Sequence, residues 1–413
     1  MAPPPEPDAA KLRSLREALP ATLASIYLNA GTAGPLPHPT ARAMAELEDL
    51  ELRLGRAGAP SWDDFVQRMA EARAALALPL GAKPAGLALT HSTTDGLNQA
   101  VQAPPWRPGD HVITTDQEHP GLLGALLAAR ERLGLQLTFV PADPDADRMS
   151  EALRAALTPR TRLVALSHVV WTTGALLPVA EVAGLARAAG AWTVVDGAQA
   201  VGAVPLDVPA LGVDLYAFSG QKWLLGPEGS GGLWAGQRAI DEARPAAAGY
   251  LSYEHLSPAA DGRRWPDGRR FEATTFHRPS VVGLARSVGW LAMQVGLPWA
   301  LARTCALARD VAIRLSHVPG VEVVTPLDHM AGLVSLRLEG WPAEEAVAAL
   351  ATRIQAVAQT IPDLDLVRLS IGWYNTEHEL DQVVGLIEEM AASSPAALPR
   401  RPPLVVLRPG LDG

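Results

Sequence analysis

The sequence predicts an α/β protein in which a large domain with a mostly parallel sheet is followed by a smaller α+β domain. Between about residues 85 and 235, short apolar runs alternate with amphipathic stretches of ten or more residues, which is the pattern of βαβ units. The chain has 413 residues, 48% of them hydrophobic, which is enough for two cores. A turn-rich stretch, Asp261-Gly-Arg-Arg-Trp-Pro-Asp-Gly268, marks the domain boundary near residue 270.

The predicted strands of the large domain are short apolar runs, and leucine, alanine and arginine recur with helical spacing between them. The strands are expected at residues 86–90, 111–115, 136–141, 162–167, 192–195, 215–219 and 231–234. Helices are expected at residues 121–133, 150–157 and 179–189. These helices are long enough to cross back over the sheet, so most strands should run parallel.

The smaller domain mixes helices and strands without the regular alternation of the large one. Helices are expected at residues 281–295, 299–315, 343–357 and 377–392, and strands at 321–324, 332–338 and 365–370. We therefore divide the chain into an N-terminal helical segment packed on the small domain (1–24), a large domain (25–270), the small domain (271–393) and a tail rich in proline and arginine (394–413).

Composition argues against several classes of protein. The formal charge is −9, so nucleic acid and anionic membranes are poor partners. No apolar run approaches the roughly 20 residues of a membrane-spanning helix, and the N-terminus lacks the apolar core of a signal peptide, so we expect a cytoplasmic protein. The single cysteine, Cys305, rules out an internal disulfide and any CxxC metal site, and no metal is expected.

Polar residues follow five of the predicted strands. In an open parallel sheet, ligands bind beyond the carboxyl ends of the strands, so these residues should face one site. In chain order they are Ser92, Thr93 and Thr94; His119; Ser167 and His168; Asp196 and Gln199; and Ser219, Gln221 and Lys222.

The sequence around Lys222 indicates a chemical role for this lysine. Only three of the 35 basic residues are lysines, and the other two, Lys11 and Lys83, lie in polar segments. Lys222 instead follows an apolar strand, and Asp196 closes another apolar strand one crossover earlier. Pyridoxal phosphate requires such a pair, because the carboxylate keeps the ring nitrogen protonated and the amine forms a Schiff base with the aldehyde. The helix start at 92–94 offers hydroxyl and N–H groups for the phosphate, and His119 can cover the ring.

Nine short motifs are spread over about residues 25–392. They are Tyr27-Leu-Asn-Ala-Gly-Thr-Ala-Gly-Pro-Leu-Pro37, Thr90-His-Ser-Thr-Thr-Asp-Gly-Leu-Asn98, Asp116-Gln-Glu-His-Pro-Gly121, Leu166-Ser-His-Val-Val-Trp-Thr-Thr-Gly174, Val195-Asp-Gly-Ala-Gln199, Phe218-Ser-Gly-Gln-Lys-Trp223, Phe271-Glu-Ala-Thr-Thr275, Val367-Arg-Leu-Ser370 and Tyr374-Asn-Thr376. These motifs resemble those of the class V aminotransferase family, a group of fold-type I pyridoxal-phosphate enzymes. Within that group they most resemble the cystine and cysteine C–S lyases related to cysteine desulfurases.

The resemblance implies a role for each matching residue. Lys222 would bond to pyridoxal 5'-phosphate, Asp196 would pair with its ring nitrogen, Gln199 would contact its phenolic oxygen and His119 would stack on the ring. The phosphate would be held by Thr93, Thr94, Ser219 and Gln221, and by Thr275 from the second subunit of a homodimer. Arg368 would bind the α-carboxylate of a small amino-acid substrate, and His168 would contact the substrate. Family members commonly have histidine at the position of Gln221, and desulfurases usually have asparagine at that of His168.

The cysteine content narrows the expected reaction. Desulfurases in this family need a thiol on a loop shortly before the arginine that binds the carboxylate, and residues 351–367 contain none. Cys305 falls in a helical pattern and reads as a core residue. We therefore predict a C–S lyase that performs β-elimination on cystine, cysteine or an S-substituted cysteine, giving pyruvate, ammonia and a sulfur product. An aminotransferase and an epimerase similar to isopenicillin N epimerases remain alternatives, and a desulfurase is a weaker one.

Two alternatives come from other classes of protein, a Rossmann dehydrogenase and a non-catalytic binding module. The glycines after Lys222, in Gly226-Pro-Glu-Gly-Ser-Gly-Gly232, do not form the dinucleotide fingerprint and follow a late strand. A non-catalytic protein would leave Lys222 and Asp196 without a role.

Overall fold

A computed structural model describes residues 9–245, 247–259 and 261–395. The strands are β1 (Ile26–Tyr27), β2 (Leu87–Thr90), β3 (His111–Thr115), β4 (Gln136–Val140), β5 (Thr161–Ser167), β6 (Trp192–Asp196), β7 (Leu215–Ser219), β8 (Gly231–Ala235), β9 (Tyr253–Leu256), β10 (Gly262–Arg264), β11 (Val321–Val323), β12 (Leu333–Leu338), β13 (Ala356–Val357), β14 (Gln359–Ile361) and β15 (Leu366–Ser370).

The α-helices alternate with these strands through most of the chain. They are α1 (Ala9–Glu17), α2 (Pro20–Ala24), α3 (His38–Leu54), α4 (Ala59–Ala77), α5 (Thr93–Gln102), α6 (Pro120–Leu133), α7 (Ala146–Ala156), α8 (Val179–Ala188), α9 (Gln237–Glu242), α10 (Arg278–Trp290), α11 (Leu297–Ser316), α12 (Ala343–Ile354) and α13 (Glu377–Ala391). A π-helical turn, Leu291–Val295, extends α10.

The main sheet has seven strands in the order β2-β8-β7-β6-β5-β3-β4. Its strands run parallel except β8, which is antiparallel to both neighbours. Successive residues face opposite cores: Val112 packs with α5 and α6, whereas Ile113 packs with the cluster that includes residues of α4, α8 and α10. Helices therefore cover both faces of the sheet, which explains why its strands are apolar runs rather than alternating patterns.

A second, four-stranded antiparallel sheet has the order β11-β12-β15-β14. Apolar residues of β12 and β15 pack there against α11, α12 and α13. The short strand β1 pairs in parallel with β13 beside this sheet, and Leu28 accepts a backbone hydrogen bond from Ser370 N–H. The N-terminal segment thus reaches the end of β15, the strand that carries Arg368.

These observations confirm the predicted α/β class with a mostly parallel sheet. The prediction for the helix at 343–357 was partly wrong, because α12 ends at Ile354 and Gln355 adopts a left-handed backbone conformation with φ of 55°. Residues 356–361 then form β13 and β14. Helices α3 and α4 were not predicted.

The division into domains stays a prediction. Arg16 of α1 bonds to Glu379 of α13, as expected for an N-terminal helix on the smaller domain. However, α10 lies beyond the expected boundary at residue 270 and still packs its apolar residues into the core on the large sheet. The predicted tail lies, from residue 396 onward, outside the described residues.

Within the described ranges, no single helix is long and apolar enough to cross a membrane. One pair, Arg278–Val295 and Leu297–Ser316, passes the same test of length and composition when its two parts, bent by 84°, are taken together.

Candidate active site

Four of the five predicted strand ends, those of β2, β3, β6 and β7, contribute their polar residues to one cavity of about 350 Å³ at the carboxyl edge of the large sheet. Residues from the second sheet and from the N-terminal segment close its other side. Its lining consists of Gly31, Thr32, Ser92, Thr93, Thr94, His119, Trp171, Asp196, Ala198, Gln199, Ser219, Gln221, Lys222, Gln359 and Arg368. Of the predicted site residues, only His168 and Thr275 lie outside this lining.

Lys222 and Asp196 form a lysine and carboxylate pair in this cavity. Asp196 is the last residue of β6 and is buried, and one of its oxygens accepts a hydrogen bond from Ala198 N–H. Burial raises the pKa of Asp196, and the charge of Lys222 opposes that rise. Burial also lowers the pKa of Lys222 to about 8, with Arg368 adding to the effect and Asp196 opposing it. A substantial fraction of Lys222 is therefore the neutral amine slightly above neutral pH.

The start of α5 forms a cradle of hydroxyl and backbone N–H groups. Ser92 caps the helix by accepting a hydrogen bond from Asp95 N–H. Thr93 Oγ1 lies 2.5 Å from Ser219 Oγ, so β2 and β7 bring their hydroxyls together. Thr94 lines the cavity one residue further on. Backbone N–H groups and the positive end of the helix dipole favour an anion such as phosphate at this place.

His119 lies at the start of α6 as a neutral ring. Its Nδ1 accepts a hydrogen bond from Gly121 N–H at 3.0 Å, so the ring proton of the neutral form resides on Nε2. Burial, Lys222 and Arg368 lower the pKa of His119 to about 4. The indole of Trp171 meets the imidazole edge-on at 5.1 Å between ring centres. A neutral, fixed imidazole is suited to stacking on a flat ring.

Two glutamines contribute differently to the cavity. Gln199 donates one N–H to Gly31 O and accepts from Trp223 Nε1, which fixes its amide and leaves its second N–H for a ligand. Gln221 has a buried side-chain oxygen with no hydrogen-bond partner among the described residues. Such an atom is costly unless a ligand or water satisfies it.

Arg368 projects from β15 and is buried with only 3% of its surface exposed. Its guanidinium donates to Trp171 O at 2.9 Å and to Thr32 Oγ1 at 3.1 Å, while Nε has no partner among the described residues. Burial lowers its pKa to about 10, so the side chain stays cationic at neutral pH. No carboxylate of the described residues is bonded to it, so its charge is available to an anionic ligand.

The segment before α3 brings Gly31, Thr32 and Gly34 against the lysine loop. Gly34 N–H donates to Gln221 O at 2.7 Å. A Cβ atom at residue 34 would lie 2.3 Å from Lys222 O, so only glycine allows this close approach.

Two predicted site residues lie elsewhere. His168 is buried, its Nδ1 lies 2.9 Å from the hydroxyl of Tyr216, and burial lowers its pKa to about 4. Because His168 does not line the cavity, its predicted contact with the substrate gains no support. Thr275 is exposed and away from the cavity of its own chain. Its predicted role in a second subunit stays a prediction.

Sequence reasoning missed Gly31, Thr32 and Gln359. Gly31 and Thr32 belong to the motif between Tyr27 and Pro37, to whose residues the resemblance assigns no role. Gln359 lies in the stretch after the overextended helix prediction, where nothing local indicates a strand. It reaches the cavity because β14 pairs with β15.

The residues present fit pyridoxal phosphate. The cavity combines a lysine with lowered pKa, a buried aspartate, a neutral histidine and a helix N-terminus lined by hydroxyls. These groups suit, in turn, the aldehyde, the ring nitrogen, the ring face and the phosphate of the cofactor. When bound, pyridoxal phosphate supplies an electron sink for a carbanion formed at the α-carbon of an amino acid.

Comparisons with known proteins agree with this fit. Isopenicillin N epimerase from Streptomyces clavuligerus is 32% identical over 391 residues, which cover 88% of this chain and 94% of that protein. A mutant of C-DES with glycine covalently linked to its PLP cofactor superimposes with a TM-score of 0.83 at 27% identity, covering 91% of this chain and 99% of the other. In a second structure, C-DES is described as a cystine C–S lyase in complex with cysteine persulfide; the TM-score is 0.83 at 28% identity, with coverage of 90% and 99%.

A cysteine desulfurase from Thermococcus onnurineus NA1 superimposes with a TM-score of 0.80 at 25% identity, covering 95% of this chain and all of the other. The fold and the site therefore define a fold-type I pyridoxal-phosphate enzyme. The profile of the aminotransferase class-V family matches residues 26–383, so the chain belongs to that family. The cofactor prediction is confirmed at this level, and the expected resemblance to C–S lyases and desulfurases is confirmed with it.

Proposed function

We propose that this enzyme is a C–S lyase that performs β-elimination on a cysteine-type substrate, releasing pyruvate, ammonia and a sulfur product. The observation that carries the proposal is the composition of the cavity. Among the described lining residues, Lys222 is the one amine able to move a proton near neutral pH, Arg368 can bind a carboxylate, and no thiol is present.

Each residue of the site has a proposed role in binding or in proton transfer. Asp196 would hold a proton at the ring nitrogen, and Thr93, Thr94, Ser219 and Gln221 would hold the phosphate. Arg368 would bind the substrate α-carboxylate through its guanidinium, which orients the amino acid relative to Lys222. Lys222 Nζ would then take the α-proton, a role for which a pKa of about 8 is suited. The bond from Cβ to sulfur breaks, sulfur leaves with the electron pair as a thiolate, and water converts the three-carbon remainder to pyruvate and ammonia.

Cys305 does not favour the desulfurase alternative. It lies on α11, its thiol faces Ala203 O at 3.6 Å, and it lines an apolar surface groove outside the candidate active site. Burial raises the pKa of this thiol, which reduces its nucleophilic thiolate fraction. Since the chain has no other cysteine, persulfide chemistry on an enzyme thiol lacks a suitable residue.

Epimerisation is the second candidate, because isopenicillin N epimerase from S. clavuligerus is 32% identical over nearly its whole length. Exchange of the α-proton between both faces is simplest with a base on each face. His119 is neutral, with a pKa of about 4, and its Nδ1 is occupied by Gly121 N–H. The geometry of this chain therefore favours elimination, in which Lys222 suffices.

The deciding experiment supplies purified enzyme and pyridoxal phosphate with cystine, cysteine, S-substituted cysteines or alanine. We expect pyruvate and ammonia in equal amounts from a sulfur amino acid and none from alanine. Racemisation without pyruvate would support the epimerase, and formation of a 2-oxo acid that requires an amino-group acceptor would support an aminotransferase.

The same assay on Cys305→Ser tests the exclusion of the desulfurase. We expect an unchanged rate of pyruvate release. Loss of activity with an unchanged thermal midpoint would indicate that the thiol of Cys305 takes part in the reaction. A homodimer in which Thr275 serves the neighbouring site and a cytoplasmic location complete the proposal.

A further inference from the structure

Gln359 and Thr32 form the wall of the cavity next to Arg368. Gln359 lies directly opposite Arg368 in the antiparallel pair of β14 and β15. Side chains at such positions project from the same face of a sheet, with Cβ atoms about 5 Å apart. Thr32 Oγ1 accepts a hydrogen bond from Arg368 at 3.1 Å. A substrate whose α-carboxylate is bound by Arg368 therefore has Gln359 within reach of its side chain.

The neighbours of Gln359 determine which end of its amide is available. Its Nε2 donates to Thr360 O at 3.1 Å. Its Oε1 is 3.4 Å from both Asn29 Nδ2 and Thr32 Oγ1, which are long contacts. A rotation that exchanged the two ends would set two donors, the amides of Gln359 and Asn29, against each other. The side chain is thus held as a neutral acceptor with remaining capacity on its oxygen.

The charges of the cavity also disfavour a negatively charged substrate side chain. Among the described lining residues, the cations are Lys222 and Arg368. Lys222 faces Asp196, and Arg368 is assigned to the α-carboxylate. A second carboxylate on the substrate would lose its water, find no further cation of this chain and face the oxygen of Gln359. Such uncompensated burial of a charge is strongly unfavourable.

We propose that Gln359, supported by Thr32, is a specificity-determining residue that selects sulfur substituents that are uncharged and carry a hydrogen-bond donor. Substituents with a second carboxylate, including the distal half of cystine, are disfavoured. This inference rests on the proposed C–S lyase function, of which it specifies the substrate class.

The test uses two substrates of almost the same shape, S-carbamoylmethylcysteine and S-carboxymethylcysteine, which differ by an amide in place of a carboxylate. We expect kcat/KM for the amide to exceed that for the acid by about tenfold or more, because the acid leaves a charge unpaired. Since the two leaving groups differ intrinsically, the informative quantity is the change in this ratio between variants. Gln359→Arg should lower the ratio by about tenfold, and Gln359→Glu should raise it.

Gln67→Arg, on the exposed side of α4, is the matched control and should leave the ratio unchanged. The visible absorption of bound cofactor shows whether each variant keeps an intact site. A wild-type enzyme that prefers the acid, or a ratio that is the same in wild type, Gln359→Arg and Gln359→Glu, would overturn the proposal. If Gln359→Arg does not fold, Gln359→Glu alone tests the proposal, because it should raise the ratio of kcat/KM for the amide to kcat/KM for the acid.

Calorimetric binding provides a readout independent of turnover. With Lys222→Ala supplied with pyridoxal phosphate, the amide should bind more tightly than the acid, and adding Gln359→Arg should reverse that order. If the enzyme releases pyruvate from neither substrate, the lyase proposal fails, while the dissociation constants still support or overturn the role of Gln359.

Discussion

At the scale of single residues, burial shifts the pKa of three ionisable groups in the site. Burial keeps His119 neutral, brings the pKa of Lys222 to about 8 and raises the pKa of Asp196. Arginine could not replace Lys222, because a guanidinium does not provide a primary amine. Although the chain has only three lysines, the chemistry of the site requires one at position 222.

The first prediction concerns Lys222. Lys222→Arg keeps a positive charge beside Asp196 and Lys222→Ala removes it, and both should abolish pyruvate release and the visible absorption of covalently held cofactor. Absorption spectra and the pyruvate assay check this result. Lys83→Arg, in an exposed loop, is the control, and residual turnover in Lys222→Arg would contradict the role given to the amine.

The second prediction concerns Glu118, which lies next to His119 and is buried at 4% exposure. Its carboxyl accepts hydrogen bonds from the hydroxyls of Thr115 and Ser167 and from Ser167 N–H, and these lower its pKa. Burial has the larger effect and raises the pKa to about 7. The folded protein therefore retains a proton that the unfolded chain, with a pKa of 4.5, releases earlier.

Because the folded state binds this proton more tightly, its stabilising effect is complete below about pH 4.5 and disappears as the pH rises through about 7. Glu118→Gln should reduce the fall in thermal midpoint between about pH 5 and about pH 8. Thermal melts across that range measure the effect, with the exposed Glu151→Gln as control. Equal pH profiles for wild type and Glu118→Gln would be inconsistent with a protonated Glu118.

At the scale of elements, a buried ion pair joins α4 to the segment that leads to Thr275. Arg73 donates to both oxygens of Glu272 at 2.8 and 3.0 Å, and Glu272 also accepts from Leu89 N–H on β2. The two side chains are 9% and 2% exposed. The pair therefore fixes the turn before Thr275 relative to the large sheet.

The third prediction is that Arg73→Met lowers the free energy of unfolding by about 3–5 kcal/mol, because Glu272 is left buried without its cation. The double variant Arg73→Met/Glu272→Gln should recover part of this loss while keeping an acceptor for Leu89. Denaturant unfolding measures both. The exposed pair of Arg53 and Asp49 provides the control, since Arg53→Met should cost no more than about 1 kcal/mol. A similar cost at both arginines would contradict the importance of burial.

At the scale of the whole molecule, the N-terminal segment connects both sheets to the cavity. Its strand β1 pairs with β13, Thr32 bonds to Arg368 and Gly34 bonds to the loop of Lys222. Thr275, like His168, is a predicted site residue that the single chain does not bring to the cavity lining. A second copy is the proposed source of that contact.

The fourth prediction tests this homodimer by mixing subunits. Thr275→Glu should weaken activity by placing a carboxylate near the phosphate, and Lys222→Ala is inactive. A heterodimer of these two variants regains one intact site if Thr275 serves its neighbour, so about half of the activity of the wild-type dimer should return. Co-expression with two affinity tags isolates the heterodimer. No recovery would place Thr275 in the site of its own subunit, and full activity of the Thr275→Glu homodimer would place it outside any site.

The sequence by itself determined the sheet and the residues at its carboxyl edge. Except for the edge strand β4, the strands of the large sheet are buried on both faces, so most of them appear as short apolar runs. Polar residues directly after β2, β3, β6 and β7 mark the site without knowledge of the fold. The lysine beside an aspartate identified the cofactor chemistry for the same reason, since both residues adjoin apolar strands and need a partner.

Only the tertiary structure decided which other residues reach the cavity. His168 follows a strand as the lining residues do, yet its ring bonds to Tyr216 and does not line the cavity. Gln359 lies in a stretch without a local signal and enters the site because β14 pairs with Arg368 on β15. Local patterns specify periodicity and burial, whereas pairing between strands and the direction of a side chain depend on contacts that are distant in the sequence.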